Sequence, residues 1–163
     1  MTKSRKIKTL KELIRLRQKL KRRRKSVVFT NGCFDILHRG HIEYLKKAKS
    51  LGDVLIVAVN SDSSVREIKG RKRPIVSQGD RAAIIASLEM VDYVLIFGET
   101  TPLNVILRLV PDVLVKGGDY TADKIVGNQI VESAGGRVIT VKPVPGRSTK
   151  NIIRKIVHRY GRT

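Results

Sequence analysis

The chain has 163 residues and 18.3 kDa, a length that suits one domain whose core needs neither disulfides nor a structural metal. Apolar residues make up 41%, which excludes a disordered tail, and the longest purely apolar run, Val54–Val59, falls far short of the about 20 residues that span a bilayer, which excludes membrane insertion. The formal net charge of +20 sits at the ends: residues 1–25 hold 13 Lys/Arg against Glu12 alone, residues 137–163 hold 8 and no acid, and residues 26–136 are balanced at 13 of each.

The basic N-terminus has no apolar segment behind it, so a secretory leader is not expected. Cys33, the single cysteine, excludes an intramolecular disulfide and a multi-cysteine zinc site, and it suits a reducing cytoplasm. The two basic ends read either as solvated helix faces or as contacts for nucleic acid or another anionic surface. With no Trp, three Phe and four Tyr, the chain is poor material for stacking bases, so nucleic acid is not expected as its main partner.

Along the chain, residues 8–24 form an amphipathic helix by spacing, with Leu10, Leu13, Ile14 and Leu20 between charges. This gives a basic N-terminal helix over 1–25 followed by a domain over 26–163. The stripe needs a covering surface, either its own domain or a symmetry mate, and a homodimer is the expectation. Ser26–Thr30 is a short β-branched and aromatic strand, broken by Asn31-Gly32. A helix over Gly40–Leu51 follows, then the strand Val54–Val59, apolar on both faces as in a covered parallel sheet. Helices over 78–88, 102–109, 123–133 and 148–160 then alternate with strands over 92–97, 111–116 and 137–141, and residues 60–74 read as a loop. The last helix carries Ile152, Ile153, Ile156 and Val157 on one stripe. Five strands joined by crossover helices predict an α/β, doubly wound, five-stranded parallel sheet, with its ligand beyond the carboxyl ends of the strands.

The segments at those ends carry the chemistry. In Thr30–His41, two histidines three apart flank Gly40 at the start of a helix. A helix N-terminus offers unpaired N–H groups and the positive end of a dipole, which suits phosphate, and two imidazoles beside it can donate to phosphate oxygens. The alternative is a surface or metal-binding pair. A third protein ligand is then needed, and His158 is remote in sequence, so no protein-held metal is expected.

The run Phe34-Asp35-x-x-His38-x-Gly40-His41 after a strand resembles the cytidylyltransferase-like nucleotidyltransferases, with their Rossmann-like fold. Val59-Asn60-Ser61-Asp62, Lys69-Gly70-x-x-Arg73-Pro74, Arg81, Leu114–Tyr120 and Gly146-x-Ser148-Thr149 extend the likeness in order, toward the adenylyltransferase domain of the ADP-heptose synthase family. That resemblance implies transfer of AMP from ATP to a heptose 1-phosphate with release of pyrophosphate, in the synthesis of lipopolysaccharide core. It implies that His38, His41 and Lys69, the last on a mobile loop, are catalytic. Thr30, Phe34, Gly40, Ser148 and Thr149 would bind the nucleotide, and Asp35, Arg81, Lys116 and Asp119 the acceptor. Lys72 or Arg73 would share the work of Lys69. Lys116 suits a phosphate and Asp119 a sugar hydroxyl, without the sequence choosing between them. Mg²⁺ is expected to be held mainly through the phosphates of ATP.

Taken singly, these residues have plainer readings: a solvated Lys69, an N-cap Ser148, a turn-capping Asp35 and a surface ion pair for Arg81. The run Pro143–Lys150 departs from the Arg-Thr-Glu-Gly-Ile-Ser-Thr-Thr pattern of related cytidylyltransferases, with Lys150 in place of the second Thr and Arg147 or Lys150 available to replace the missing arginine. Cytidylyl transfer to glycerol 3-phosphate or another phosphorylated alcohol is the alternative activity. A nucleic-acid-binding module using the basic ends is the alternative class.

Overall fold

The computed structural model describes residues 4–118, 121 and 124–161. Five strands, β1 (Val27–Gly32), β2 (Val54–Asn60), β3 (Tyr93–Phe97), β4 (Val113–Gly117) and β5 (Arg137–Val141), form one parallel sheet in the order β3-β2-β1-β4-β5. β1 pairs with β2 from Val27↔Val54 to Gly32↔Val59, and with β4 through Val28↔Val113 and Phe29↔Leu114. The chain builds outward from β1 in one direction and then returns to build in the other. The crevice between β1 and β4 is therefore the switch point where an open α/β sheet takes its ligand.

Alternate strand residues bury on opposite faces, as the pleat requires. Val28, Leu55, Val57, Val59, Val94 and Val115 pack under α2 (Arg39–Lys49) and α4 (Gln78–Ala86), through Leu45, Ala48, Ala82 and Ile85. Val27, Phe29, Ile56, Ala58, Leu95 and Leu114 pack under α1 (Leu10–Arg22), α5 (Leu103–Leu109) and α6 (Asn128–Ser133), through Leu13, Ile106, Leu109 and Val131. α3 (Asp62–Lys69) and α7 (Thr149–Tyr160) complete the chain.

Aspartates pin the amino ends of the strands, remote from the ligand edge. Asp112 accepts from the Val27 N–H at 2.7 Å and from Arg17 of α1 at 2.7 Å. Asp92 accepts from the Leu55 N–H at 2.7 Å and from Lys49 at 2.6 Å. Asp53 accepts from the Ser26 N–H at 2.8 Å and from Lys25 at 2.9 Å. α1 starts on a capping box between Thr9 and Glu12, and its stripe is covered by the chain's own domain: Leu13 is fully buried, with Leu10, Leu16 and Leu20 packed beside it.

The structure departs from the sequence reading in several places. Residues 62–69 are helical, capped by the Ser61 hydroxyl accepting from the Ser64 N–H, so Lys69 ends a helix and does not sit in an open loop. β1 continues through Asn31 and Gly32, because parallel pairing to Ala58 and Val59 outweighs the weak strand preference of that dipeptide. α6 begins only at Asn128, after Gly127 at φ 88°. α7 forms as expected, but Ile156 and Val157 on its stripe are exposed. Among the described residues, no helix is long and apolar enough to cross a membrane.

Candidate active site

A cavity of 880 Å³ opens at the carboxyl ends of the strands, walled by Gly32–Asp35 after β1, Lys116-Gly117 at the end of β4, and the first turn of α7. A second hollow of 350 Å³ shares His41, Lys116 and Ser148 with it and continues to His38, Tyr44 and Arg147. Small residues allow the walls to approach. A Cβ on Gly32 would stand 3.0 Å from the Phe34 ring, and one on Gly117 would stand 3.3 Å from Tyr44. Phe34 itself is held at φ 47°, in the left-handed region that a bulky side chain seldom adopts, at the bend where β1 turns toward α2.

His38 is the N-cap of α2 and His41 lies in its first turn, which places both rings at the positive end of that helix. The rings stack, with centroids 3.8 Å apart and planes 19° off parallel, and Phe34 meets His41 edge to face with centroids 5.3 Å apart. Burial, with the neighbouring His38 adding to it, pushes the His41 pKa down to about 4. Burial alone lowers that of His38. His41 is therefore neutral at physiological pH, a hydrogen-bond donor and not a cation. The Nδ1 atoms of both are buried without a partner, a condition folded proteins avoid, and it falls on two adjacent side chains in one site.

Ser148 caps α7, its hydroxyl accepting from the Asn151 N–H at 3.1 Å, and the Thr149 hydroxyl donates to the Ile36 carbonyl at 3.4 Å. Both residues line both cavities, so a second helix N-terminus faces the first. Gly40 is the reason the two can meet: a Cβ there would come within 3.0 Å of the His38 ring and 3.3 Å of the Arg147 Cβ. Lys116 lines both cavities, its Nζ donating to Asn31 Oδ1 at 3.2 Å, and burial lowers its pKa. Lys69 is exposed at the end of α3 and lines the larger cavity.

Other residues singled out in the sequence take different places. Asp35 borders the larger cavity, but its carboxylate is buried: Oδ1 accepts from the Ile75 and Val76 N–H groups, both at 2.8 Å, and Oδ2 pairs with Arg73. Arg81 is fully buried, donating to the Val76 carbonyl at 2.9 Å, to the Cys33 carbonyl, and to Asp62 at 2.8 Å. Neither turns a free polar group toward ligand. Together they tie the turn after β1 to the segment before α4, which is a positioning task and not the acceptor contact expected of them. Thr30 is likewise fully buried, bonded to the Tyr44 hydroxyl, which also donates to the Val115 carbonyl at 3.1 Å and whose pKa burial pushes up to about 12. Thr30 thus supports the pocket from behind. Asp119 lies outside the described residues.

A family model described as cytidylyltransferase-like matches residues 29–160, most of the chain and all of the site just described. The chain belongs to the cytidylyltransferase-like family. Among curated relatives it is 57% identical over 156 residues to the bifunctional protein HldE of Geobacter metallireducens, covering 96% of this chain and 32% of that protein. It is 60% identical over 137 residues to HldE of Geobacter sulfurreducens, covering 84% and 28%. The chain therefore spans about a third of the length of the relatives it matches. Of solved structures, a lipopolysaccharide core biosynthesis protein from Thermoplasma volcanium superposes with a TM-score of 0.59 at 33% identity, covering 74% of this chain and 97% of that one. Pantoate-beta-alanine ligase from Francisella tularensis superposes at 0.62 with 20% identity, a likeness of fold alone, covering 96% and 79%.

The sequence places residues 30–34 along the pocket but singles out neither Tyr44 nor Arg154, which also line it. Asn31 holds Lys116, and Tyr44 stands three residues after His41, one turn along the same face of α2. That spacing is the signal that would have found Tyr44. Arg154 lies one and a half turns into α7 and still reaches the larger cavity.

Proposed function

We propose that this chain transfers an adenylyl group from MgATP to the phosphate of a heptose 1-phosphate, giving an ADP-heptose and pyrophosphate. The observation that carries the reading is the stacked pair His38 and His41 at the start of α2, each with its Nδ1 unpartnered, beside the start of α7 in the β1–β4 crevice. Two helix N-termini and two imidazoles lining one crevice form an environment for a polyphosphate. The relatives named HldE and the lipopolysaccharide core protein support the nucleotide and the acceptor chosen here.

An oxygen of the acceptor phosphate attacks the α-phosphorus. The bond from that phosphorus to the bridging oxygen breaks, and pyrophosphate leaves with the bonding electron pair. The chain forms no covalent bond, so its contribution is position and charge. His41 and His38 donate N–H groups to phosphate oxygens whose charge changes as the bond breaks, Ser148 and Thr149 bring the α7 N-terminus to the distal phosphates, and Lys116 and Lys69 neutralise the meeting anions. Phe34 and Gly40 shape the nucleotide's seat, Thr30 backs it through Tyr44, and Asp35 and Arg81 fix the turn that carries Phe34.

The described residues do not fit a resident metal. Among the described residues no three His, Cys, Asp or Glu side chains converge, and the carboxylates of Asp35 and Asp62 are engaged by Arg73 and Arg81. We read Mg²⁺ as part of the substrate, carried by the phosphates of ATP. The test is a screen of pyrophosphate release that crosses ATP and CTP with heptose 1-phosphate and glycerol 3-phosphate. Release from ATP with heptose 1-phosphate supports the reading; release only from CTP with glycerol 3-phosphate replaces it with the cytidylyl alternative.

A further inference from the structure

Beside His38, α2 and α7 enclose a groove of 350 Å³. Arg39, Arg147, Arg154 and Lys155 line it, with His38 and Ser148 where it meets the site. Among the described residues no carboxylate lines it; Glu43 pairs with Arg39 at 3.5 Å, and the Arg39 side chain stays 72% exposed. Four cations gathered beside two helix N-termini, with so little opposing charge, repel one another unless an anion of high charge lies among them.

The connections of the groove narrow down that anion. Ser148 borders the groove and both cavities, His38 borders the groove and the smaller hollow, and Arg154 borders the groove and the larger cavity. The groove therefore adjoins the place where an anion would be released beside His38 and Ser148. In-line displacement sends the leaving group away from the attacking oxygen, and Lys69 lines the larger cavity but neither the smaller hollow nor the groove. Among the described residues Ile152 is the one large apolar side chain in the groove, a poor seat for a nucleoside with its apolar and aromatic surface. Two linked phosphate tetrahedra find cations on either wall.

We propose that this groove is a second, product position for pyrophosphate. The proposal rests on the adenylyl-transfer reading. Once the bond between the α-phosphorus and the bridging oxygen has broken, pyrophosphate keeps that oxygen and the electron pair. It passes between His38 and Ser148, and is held by Arg39, Arg154 and Lys155 before it leaves to solvent. Arg39 and Lys155 serve the departing product and touch no reacting atom.

The test is calorimetric titration of sodium pyrophosphate into the full chain, compared with the double variant Arg39→Gln/Lys155→Gln and with the charge-keeping variant Arg39→Lys/Lys155→Arg, each shown folded by circular dichroism. The expected result is a loss of affinity for pyrophosphate of about tenfold or more in the glutamine variant and near-complete retention in the charge-keeping one. The KM for ATP changes by less than about threefold, and product inhibition by pyrophosphate weakens in step with its affinity. Unchanged pyrophosphate affinity in a folded glutamine variant overturns the groove. So does a KM for ATP that rises as far as the pyrophosphate affinity falls, since the cations would then belong to the ATP position. If the unmodified chain releases no pyrophosphate from ATP with any acceptor, the adenylyl-transfer reading fails by itself, and the titration still decides whether the groove binds pyrophosphate.

Discussion

Replacing Arg81 with methionine removes three donors at once from a place that water does not reach. Asp62, the Val76 carbonyl and the Cys33 carbonyl all lose their guanidinium partner, while the volume is largely refilled. Breaking a buried charge pair from one side costs about 3–5 kcal/mol, and each stranded carbonyl adds to it. Asp62 recovers part of that from solvent, since its side chain is 29% exposed, so the net loss is placed near about 3 kcal/mol. That is a large share of the 5–15 kcal/mol typical of a domain. For a urea dependence of about 1.5 kcal/mol per molar, the midpoint falls by about 2 M. The assay is urea unfolding followed by circular dichroism, alongside the KM for ATP, which rises because the turn carrying Phe34 loses its anchor. Arg81→Lys recovers only part of the loss, because one ammonium cannot serve three acceptors arranged around a planar fork. A midpoint shift below about 0.3 M would refute the reasoning and return Arg81 to the role of ligand contact.

Three further outcomes follow from the same geometry. Gly40→Ala places a methyl group 3.0 Å from the His38 ring and should lower kcat about tenfold or more while leaving the melting temperature within a few degrees, read by pyrophosphate release and thermal unfolding. His41, with a folded pKa of about 4 against an unfolded value near 6.5, contributes stability that is complete above pH ~6.5 and lost as pH falls toward 4. Urea midpoints of the unmodified chain and of His41→Gln should therefore converge or cross over that window and run parallel above it. Lys69→Ala should lower kcat with ATP and heptose 1-phosphate by about tenfold without changing the urea midpoint, since the side chain is exposed and lines the larger cavity.

Where the sequence carried a strong local pattern, the element could be read: the apolar run of β2, the stripe of α1 and the histidines that flank Gly40 at the start of α2 all stand where expected. α3 was missed because Asp62–Lys69 buries little beyond Ser64 and Val65, too little apolar surface to leave a helical signature, and its serines prefer caps and turns. The strand order was not legible, because β1 pairs with β4 by tertiary packing alone. Asp35, Thr30 and Arg81 show a different limit. A polar residue after a strand looks the same in sequence whether it faces a ligand or braces the wall. Only the Ile75 and Val76 N–H groups, the Tyr44 hydroxyl and the Cys33 carbonyl decide the matter.

The central claim is that the paired histidines stabilise charge on a transferring phosphoryl group. Steady-state turnover of His41→Ala with ATP and heptose 1-phosphate, in protein shown folded by circular dichroism, tests it most directly. The account predicts a fall in kcat of about 10²–10³-fold with a much smaller change in the KM for ATP, because a donor aimed at developing charge acts mainly in the transition state. A folded variant that turns over at near the unmodified rate would contradict it.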